Sequence, residues 1–276
     1  MAKEKDDAVK ETVGAQENVE VATQETKEVA VPETKFVSGP NGQAAGLEDI
    51  DKQTDIKIPR ILILQALSEL VKDKKGDGGQ IANSITGEIL GDSFEFIPLH
   101  HFKTRVKFVL GKGAVCMSRS ALTSSFGDTE NSGYVEGTNC IECPDSAWQG
   151  KEAPKCSLVY NFLVLDAKNL SAFPIVISCA KSAIKEAKTL ISMAAFTGED
   201  LCARIYKLTT KEEKSPKGEF FMPQFELLRR VSVEEYKTSC GIRDAMREKV
   251  IEVDLESGFD TSEHAEEDDT VVDETK

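Results

Sequence analysis

The 276-residue chain contains no run of about 18 apolar residues, the length that a membrane-spanning helix requires. No membrane association is therefore expected. Its first residues, Met1-Ala2-Lys3-Glu4-Lys5-Asp6-Asp7, lead into no apolar stretch, which excludes a secretory signal as the reading of this end. Histidine is scarce, with His100, His101 and His264 the three present. No Ser–His–Asp set, His-Glu-x-x-His pair or carboxylate pair at helical spacing stands out. The glycine-rich turn Lys72-Asp73-Lys74-Lys75-Gly76-Asp77-Gly78-Gly79 lacks the Gly-Lys-Ser/Thr ending of a phosphate-binding loop. These absences make a binding protein the expectation, not an enzyme.

Basic charge is also in deficit, but unevenly. The formal net charge is -14. Residues 1–50 hold 5 Lys and Arg against 11 Asp and Glu, and residues 250–276 hold 1 against 11. The intervening body has 28 against 26, so it is close to neutral and can still present a basic groove. Residues 1–46 and 251–276 have too few large apolar side chains to offset the entropy of ordering, and disordered tails are expected there. The body, roughly 47–250, is long enough for one sizeable domain.

Cysteine is what the chain does have. Cys116, Cys140, Cys143 and Cys156 fall within 41 residues, and Cys140-Ile141-Glu142-Cys143 is the two-residue spacing that turns two thiolates toward one tetrahedral ion. Four thiolates are the inventory of a closed structural Zn2+ site and leave no open position for catalytic water. His100 or His101 is an alternative to one of the cysteines as ligand. The competing reading is a set of buried or redox thiols. Met117 to Asn139 is polar and glycine-rich with no core pattern, as a metal-stapled insertion over 111–157 would be. Cys179, Cys202 and Cys240 lie in apolar patterns and read as core. Reduced thiols fit a reducing, cytoplasmic compartment.

Periodicity predicts an extended entry and buried strand over Ile56–Gln65, and strands at Phe94–Leu99, Arg105–Leu110, Ser157–Leu165, Phe173–Cys179, Leu201–Leu208 and Glu219–Leu228. An apolar stripe through Ala183, Ile184, Ala187, Leu190, Ile191 and Ala194 predicts a helix over Lys181–Phe196, stopped by Gly198. A second helix is expected over Val233–Val250 with Ser232 as its N-cap. Connections this short make a mainly antiparallel sheet. Three strands, a helix and two more strands match a mainly β fold, an OB-like five-stranded Greek-key barrel carrying the cysteine insertion.

Several features together resemble bacteriophage single-stranded DNA-binding proteins. They are the apolar Ile58-Pro59-Arg60-Ile61-Leu62-Ile63-Leu64-Gln65, the turn Asn83-Ser84-Ile85-Thr86-Gly87-Glu88, Phe96-Ile97-Pro98, the cysteine set and the acidic end. A zinc loop among OB strands is also similar to the zinc-ribbon DNA-binding domain of the large subunit of replication protein A. The resemblance implies a barrel that binds single-stranded DNA during phage replication, recombination and repair, in the host cytoplasm. It also implies an acidic tail that recruits replication proteins such as a polymerase, helicase or primase. Several phage members end that tail in an aromatic residue, whereas this chain ends Asp273-Glu274-Thr275-Lys276.

Sequence-independent strand binding needs a positive groove and aromatic faces for stacking. Lys103, Arg105, Lys107 and Lys112 interleave with Phe108 on one stretch, and Tyr160, Arg204 and Tyr206 lie on later strands. These eight residues are the candidate nucleic-acid contacts; for the aromatics, burial in a core is the alternative. The other functions left open are a zinc-stapled interaction or virion protein without DNA affinity, and a transcription accessory factor that binds a polymerase.

Overall fold

The computed structural model describes residues 57–109, 111–215 and 218–247, so both expected tails lie outside it. Ten strands follow in chain order: β1 Arg60–Ile63, β2 Ile81–Asn83, β3 Ile89–Gly91, β4 Ser93–Val109, β5 Gly113–Ser118, β6 Phe126–Gly127, β7 Cys156–Asp166, β8 Ile175–Ala180, β9 Arg204–Ser215 and β10 Gly218–Arg230. The helices are α1 Glu69–Lys72, α2 Thr129–Ser132, α3 Ile184–Thr197 and α4 Val233–Arg247.

All ten strands join one sheet in the order β10-β9-β4-β7-β8-β1-β2-β3, with β5 beside β4 and β6 beside β5. Every pairing is antiparallel except β1 with β8. The mainly β, mainly antiparallel reading therefore holds. The five-stranded closed barrel does not, because this sheet has twice the strands and its backbone ladder ends at β3 and β10.

Both faces of the sheet are covered. One cluster gathers Phe94, Phe96, Phe162, Tyr206 and Phe225 with Ala187 and Leu190 of α3. The opposite cluster gathers Ile97, Leu99, Leu163, Leu165 and Ile205 beneath Tyr236, Cys240, Ile242 and Met246 of α4. Burial on both sides is why β7 and β8 read as continuous apolar runs instead of alternating ones. Phe96 stacks on Tyr206 at 6.0 Å between ring centroids and meets Phe225 edge-on at 6.0 Å.

Local signals placed the two long helices, α3 and α4. Gly198 closes α3 in the left-handed region at φ 64°. Ser232 Oγ accepts from the Glu235 N–H at 3.2 Å while the Glu235 carboxylate accepts from the Ser232 N–H at 2.5 Å, a capping box that starts α4. Arg229 beside Glu235 holds that carboxyl down at about 2.

Two expected strands, Phe94–Leu99 and Arg105–Leu110, are one 17-residue strand, β4. Its register slips between Pro98 and His100. A bulge is where a sheet tolerates a proline, which cannot donate to the ladder. Phe96 before the slip and His101 after it both pair across to β7 on the face that holds Phe162.

A side chain just after β1 joins β10 across the sheet. The Gln65 amide donates to the Phe221 carbonyl at 2.9 Å, and its oxygen accepts from the Phe221 N–H at 2.9 Å. Thr210 Oγ1 donates to the Gly79 carbonyl at 2.7 Å. The glycine-rich turn serves this seam, since a Cβ on Gly78 or Gly79 would come within 2.9 Å of the Phe221 ring. Gln65→Ala would leave two backbone groups at the seam unpaired, at an expected cost of about 1–3 kcal/mol. Denaturant titration measures it; unchanged stability would mean that water replaces the amide freely.

Candidate metal centre and nucleic-acid face

The four clustered cysteines arrive from three places. Cys116 lies on β5 and Cys156 opens β7, and both are aligned with Lys107 of β4 between them. Cys140 and Cys143 come from the loop, where the Cys140 N–H donates to the Leu122 carbonyl at 2.8 Å and Pro144 starts a short 3-10 turn. All four line one cavity of about 10 Å³, together with Lys107, Ser124, Tyr134, Thr138, Asp145 and Ser146. That volume holds little more than a single water-sized particle.

The polar stretch before the knuckle is knit by side chains bonded to backbone. Ser124 Oγ donates to the Val135 carbonyl at 2.6 Å and accepts from the Thr138 N–H at 2.9 Å, and Ser118 Oγ donates to the Thr123 carbonyl at 2.5 Å. Asp128 caps α2 by accepting from the backbone of Glu130 and Asn131. Gly127 has no substitute here, because a Cβ would stand 2.5 Å from the Tyr134 carbonyl oxygen.

Burial pushes the Cys116 thiol up, with Cys140 and Cys143 adding to the shift and Lys107 opposing it. Cys156 is pushed up to about 12, by burial first, with Arg105 opposing. Tyr134 is raised through its hydrogen bond with Cys143. Lys107 Nζ pairs with Asp145 Oδ2 at 2.6 Å, both side chains more than four-fifths buried, and donates to the Ser132 carbonyl at 3.3 Å. Arg105 donates to the Ser146 carbonyl at 3.3 Å. Four thiolates around a divalent ion carry excess negative charge; Arg105 is placed to offset part of it, while Asp145 balances the charge of Lys107. Cys116, Cys140, Cys143 and Cys156 are the residues that would hold a structural zinc ion, and four thiols around one small cavity are a donor set that suits it. Zinc–sulfur bonds of about 2.3 Å would draw the knuckle further inward, since the four thiols stand around the cavity without any three closing to within 4.8 Å of one another. Among the described residues the group of three that does so is Asp200, Cys202 and Cys240.

The candidate nucleic-acid contacts separate under this geometry. Arg105 and Lys107 are committed to the cysteine cavity and do not form an exposed groove. Tyr206 is fully buried and Tyr160 is 7% exposed, so neither offers a stacking face, and the alternative of burial in the core is the one observed. Phe108 packs against Val106 and Val159. Arg204 is paired with Glu199 at 2.6 Å. Lys103 remains exposed, with Nζ 4.8 Å above the Tyr160 ring, and Lys112 remains exposed beside Asn131. His101 packs between Tyr160 and Phe162, where burial and Lys103 lower its pKa; neither it nor His100 lines the cysteine cavity.

Tyr206 Oη is buried with no hydrogen-bond partner. Removing an unsatisfied buried hydroxyl restores no lost bond and ends a desolvation cost. Tyr206→Phe is therefore expected to leave the melting temperature unchanged or raised in a thermal scan, and a clear fall would reveal a partner for that hydroxyl.

A family model for the Pam3 phage gp34-like protein matches residues 24–252. The chain belongs to that family. It is thus a phage-family protein, and the match spans the whole described fold, including the cysteine insertion and α4. No curated protein and no solved structure matches the chain. Among the described residues of this gp34-like chain, no helix is long and apolar enough to cross a membrane.

One surface of the gp34-like fold escaped the sequence reading. The exposed side of α3 and the turn before it carries Lys181, Ser182, Lys185, Lys188, Thr189 and Ser192, and ends at Phe196, which is 92% exposed. The one carboxylate of α3, Glu186, is half-buried. The lysine spacing of four and then three residues puts them on one helical face, a signal present in the sequence but overshadowed by the apolar stripe.

Proposed function

We propose that this protein binds single-stranded DNA without sequence choice in phage DNA replication, recombination or repair, as a binding module and not an enzyme. The observation that carries this reading is the exposed side of α3 and the turn before it, where Lys181, Lys185 and Lys188 lie beside Ser182 and lead to the exposed Phe196. Lysines are the usual donors to phosphate oxygens and an exposed ring is a platform for a base, whereas the Thr189 and Ser192 hydroxyls donate to the Lys185 and Lys188 carbonyls. Lys103 and Lys112 supply further exposed positive charge. The cysteine insertion is a zinc-stapled structural unit in this reading.

The acidic residues 250–276, which extend beyond the described residues, would compete with phosphates for these lysines and recruit replication proteins once displaced. Fluorescence anisotropy with labelled dT oligonucleotides, at low and moderate salt, tests both parts. Salt-sensitive binding is expected, tightening in a truncation that ends at Ile251. No binding by either form at low salt would reject the single-strand reading, and equal affinity would reject the role of the tail.

A specific observation favours a second reading. Ile141 is 69% and Trp148 67% exposed on the cysteine insertion, which suits docking onto another protein. Absent DNA affinity, an interaction or transcription accessory role through that surface becomes the conclusion.

A further inference from the structure

A second cluster lies where α4 crosses the short turn at Leu201–Ala203. Tyr236, Cys240 and Arg243 share one face of α4, at spacings of four and three residues. They meet Asp200, at the start of the turn, and Cys202, which is fully buried within it. Cys202 Sγ and Cys240 Sγ are 3.4 Å apart, and with a carboxylate oxygen of Asp200 all three ligand atoms lie within 4.8 Å of one another. Two thiolates on one tetrahedral ion stand about 3.8 Å apart, given bonds of about 2.3 Å, so the observed pair needs only a small adjustment.

The surrounding groups are those that orient metal ligands. Tyr236 Oη donates to Asp200 Oδ2 at 2.8 Å, and Arg243 donates to the same oxygen at 3.0 Å and toward Cys202 Sγ at 3.5 Å. Both bonds to the carboxylate end on Oδ2, which leaves Oδ1 for an ion. Two thiolates and a carboxylate carry three negative charges, and the Arg243 guanidinium, shared with Asp244 at 3.0 Å, offsets only part of them. A divalent cation lowers the remaining negative charge. The Asp200 side chain is 50% exposed, which opens a path from solvent and a fourth coordination position.

We propose that Asp200, Cys202 and Cys240 form a second divalent-metal site, separate from the four-cysteine cavity, with three protein ligands and one position open to water. Thiolate ligands select zinc, cobalt or cadmium over magnesium and calcium. Binding releases the two thiol protons to solvent as the two metal–sulfur bonds form. The ion ties α4 to the end of the sheet.

The test is metal counting on the reduced full chain after dialysis against zinc, with cobalt titration followed by visible absorption. Two ions per chain are expected, falling to one in Cys240→Ser and to one in Cys140→Ser with Cys143→Ser. Asp200→Asn, a milder change at an exposed ligand, is expected to weaken the second ion while circular dichroism stays native. Tyr236→Phe, which touches no metal, is expected to weaken it roughly 10–100-fold. An unchanged count in both Cys240→Ser and Asp200→Asn overturns the proposal and leaves the four-cysteine reading intact. So does a Cys202–Cys240 disulfide in the chain as isolated, with no second ion taken up after reduction. Loss of an ion in Cys240→Ser but none in the Cys140 and Cys143 variant would support this site and reject the other.

Discussion

Replacing Cys140 and Cys143 together by serine is expected to remove one zinc ion per chain and unfold most of the segment between β5 and β7. The reason lies in what else holds that segment. Its polar stretch buries few apolar side chains and relies on bonds such as Ser124 Oγ to the Val135 carbonyl and Cys140 N–H to the Leu122 carbonyl. Each such bond contributes only about 0.5–1.5 kcal/mol net, whereas a structural zinc site contributes roughly 10–16 kcal/mol in zinc-finger peptides at neutral pH. Hydrogen exchange measures the outcome directly. The amides of Ser124, Thr138 and Cys140 are expected to lose protection, while those of β7 and β8, buried on both faces, keep theirs. The same loss is expected on acidification, because the metal-bound thiolates must give way to protonated thiols, and burial favours the neutral form of Cys116 and Cys156. Unchanged exchange in the double variant would show that the four cysteines are packing residues only.

Lys185→Glu combined with Lys188→Glu is expected to lower affinity for single-stranded DNA by roughly 10–100-fold at low salt. Each phosphate contact removed should also flatten the logarithmic salt slope by about 0.7 for a single strand. Both lysines are exposed on α3, so the fold should tolerate the change, with stability altered by no more than about 0.5 kcal/mol. Lys168→Glu, an exposed lysine in the turn after β7, is the control for net charge. If the control variant weakens binding as much per charge, the α3 face has no special role. If neither matters, the strand lies elsewhere.

Local order was largely legible. The α3 stripe, its Gly198 stop and the Ser232 cap of α4 all depend on residues a few positions apart, and each appears where its pattern predicts, whereas β9 runs on to Ser215, through most of the expected connection to β10. The double-sided runs of β7 and β8 were legible as buried strands, and the cysteine spacing anticipated the shared cavity lined by Cys116, Cys140, Cys143 and Cys156. The exposure of the candidate nucleic-acid contacts was not. Alternation states which residues share a face but not which face meets the core, so it left open whether Tyr160 and Tyr206 were exposed or buried, and both are buried. The slip in β4 between Pro98 and His100 compounds this, because a single unpaired residue reverses parity and carries Arg105 and Lys107 onto the face that ends at the cysteines.

Composition and short-range pattern alone determined that this is a mainly β body between acidic ends, with a cysteine insertion and two helices. Those properties follow from side-chain periodicity and charge within about ten residues of chain. Only the tertiary structure decided that Lys107 stands between Cys116 and Cys156, that Gln65 after β1 bonds to Phe221 of β10, and that Cys202 meets Cys240 beside Asp200. Each joins positions between 9 and 156 residues apart. Such meetings depend on strand order and register, which are set by the packing of the whole sheet and leave no local trace.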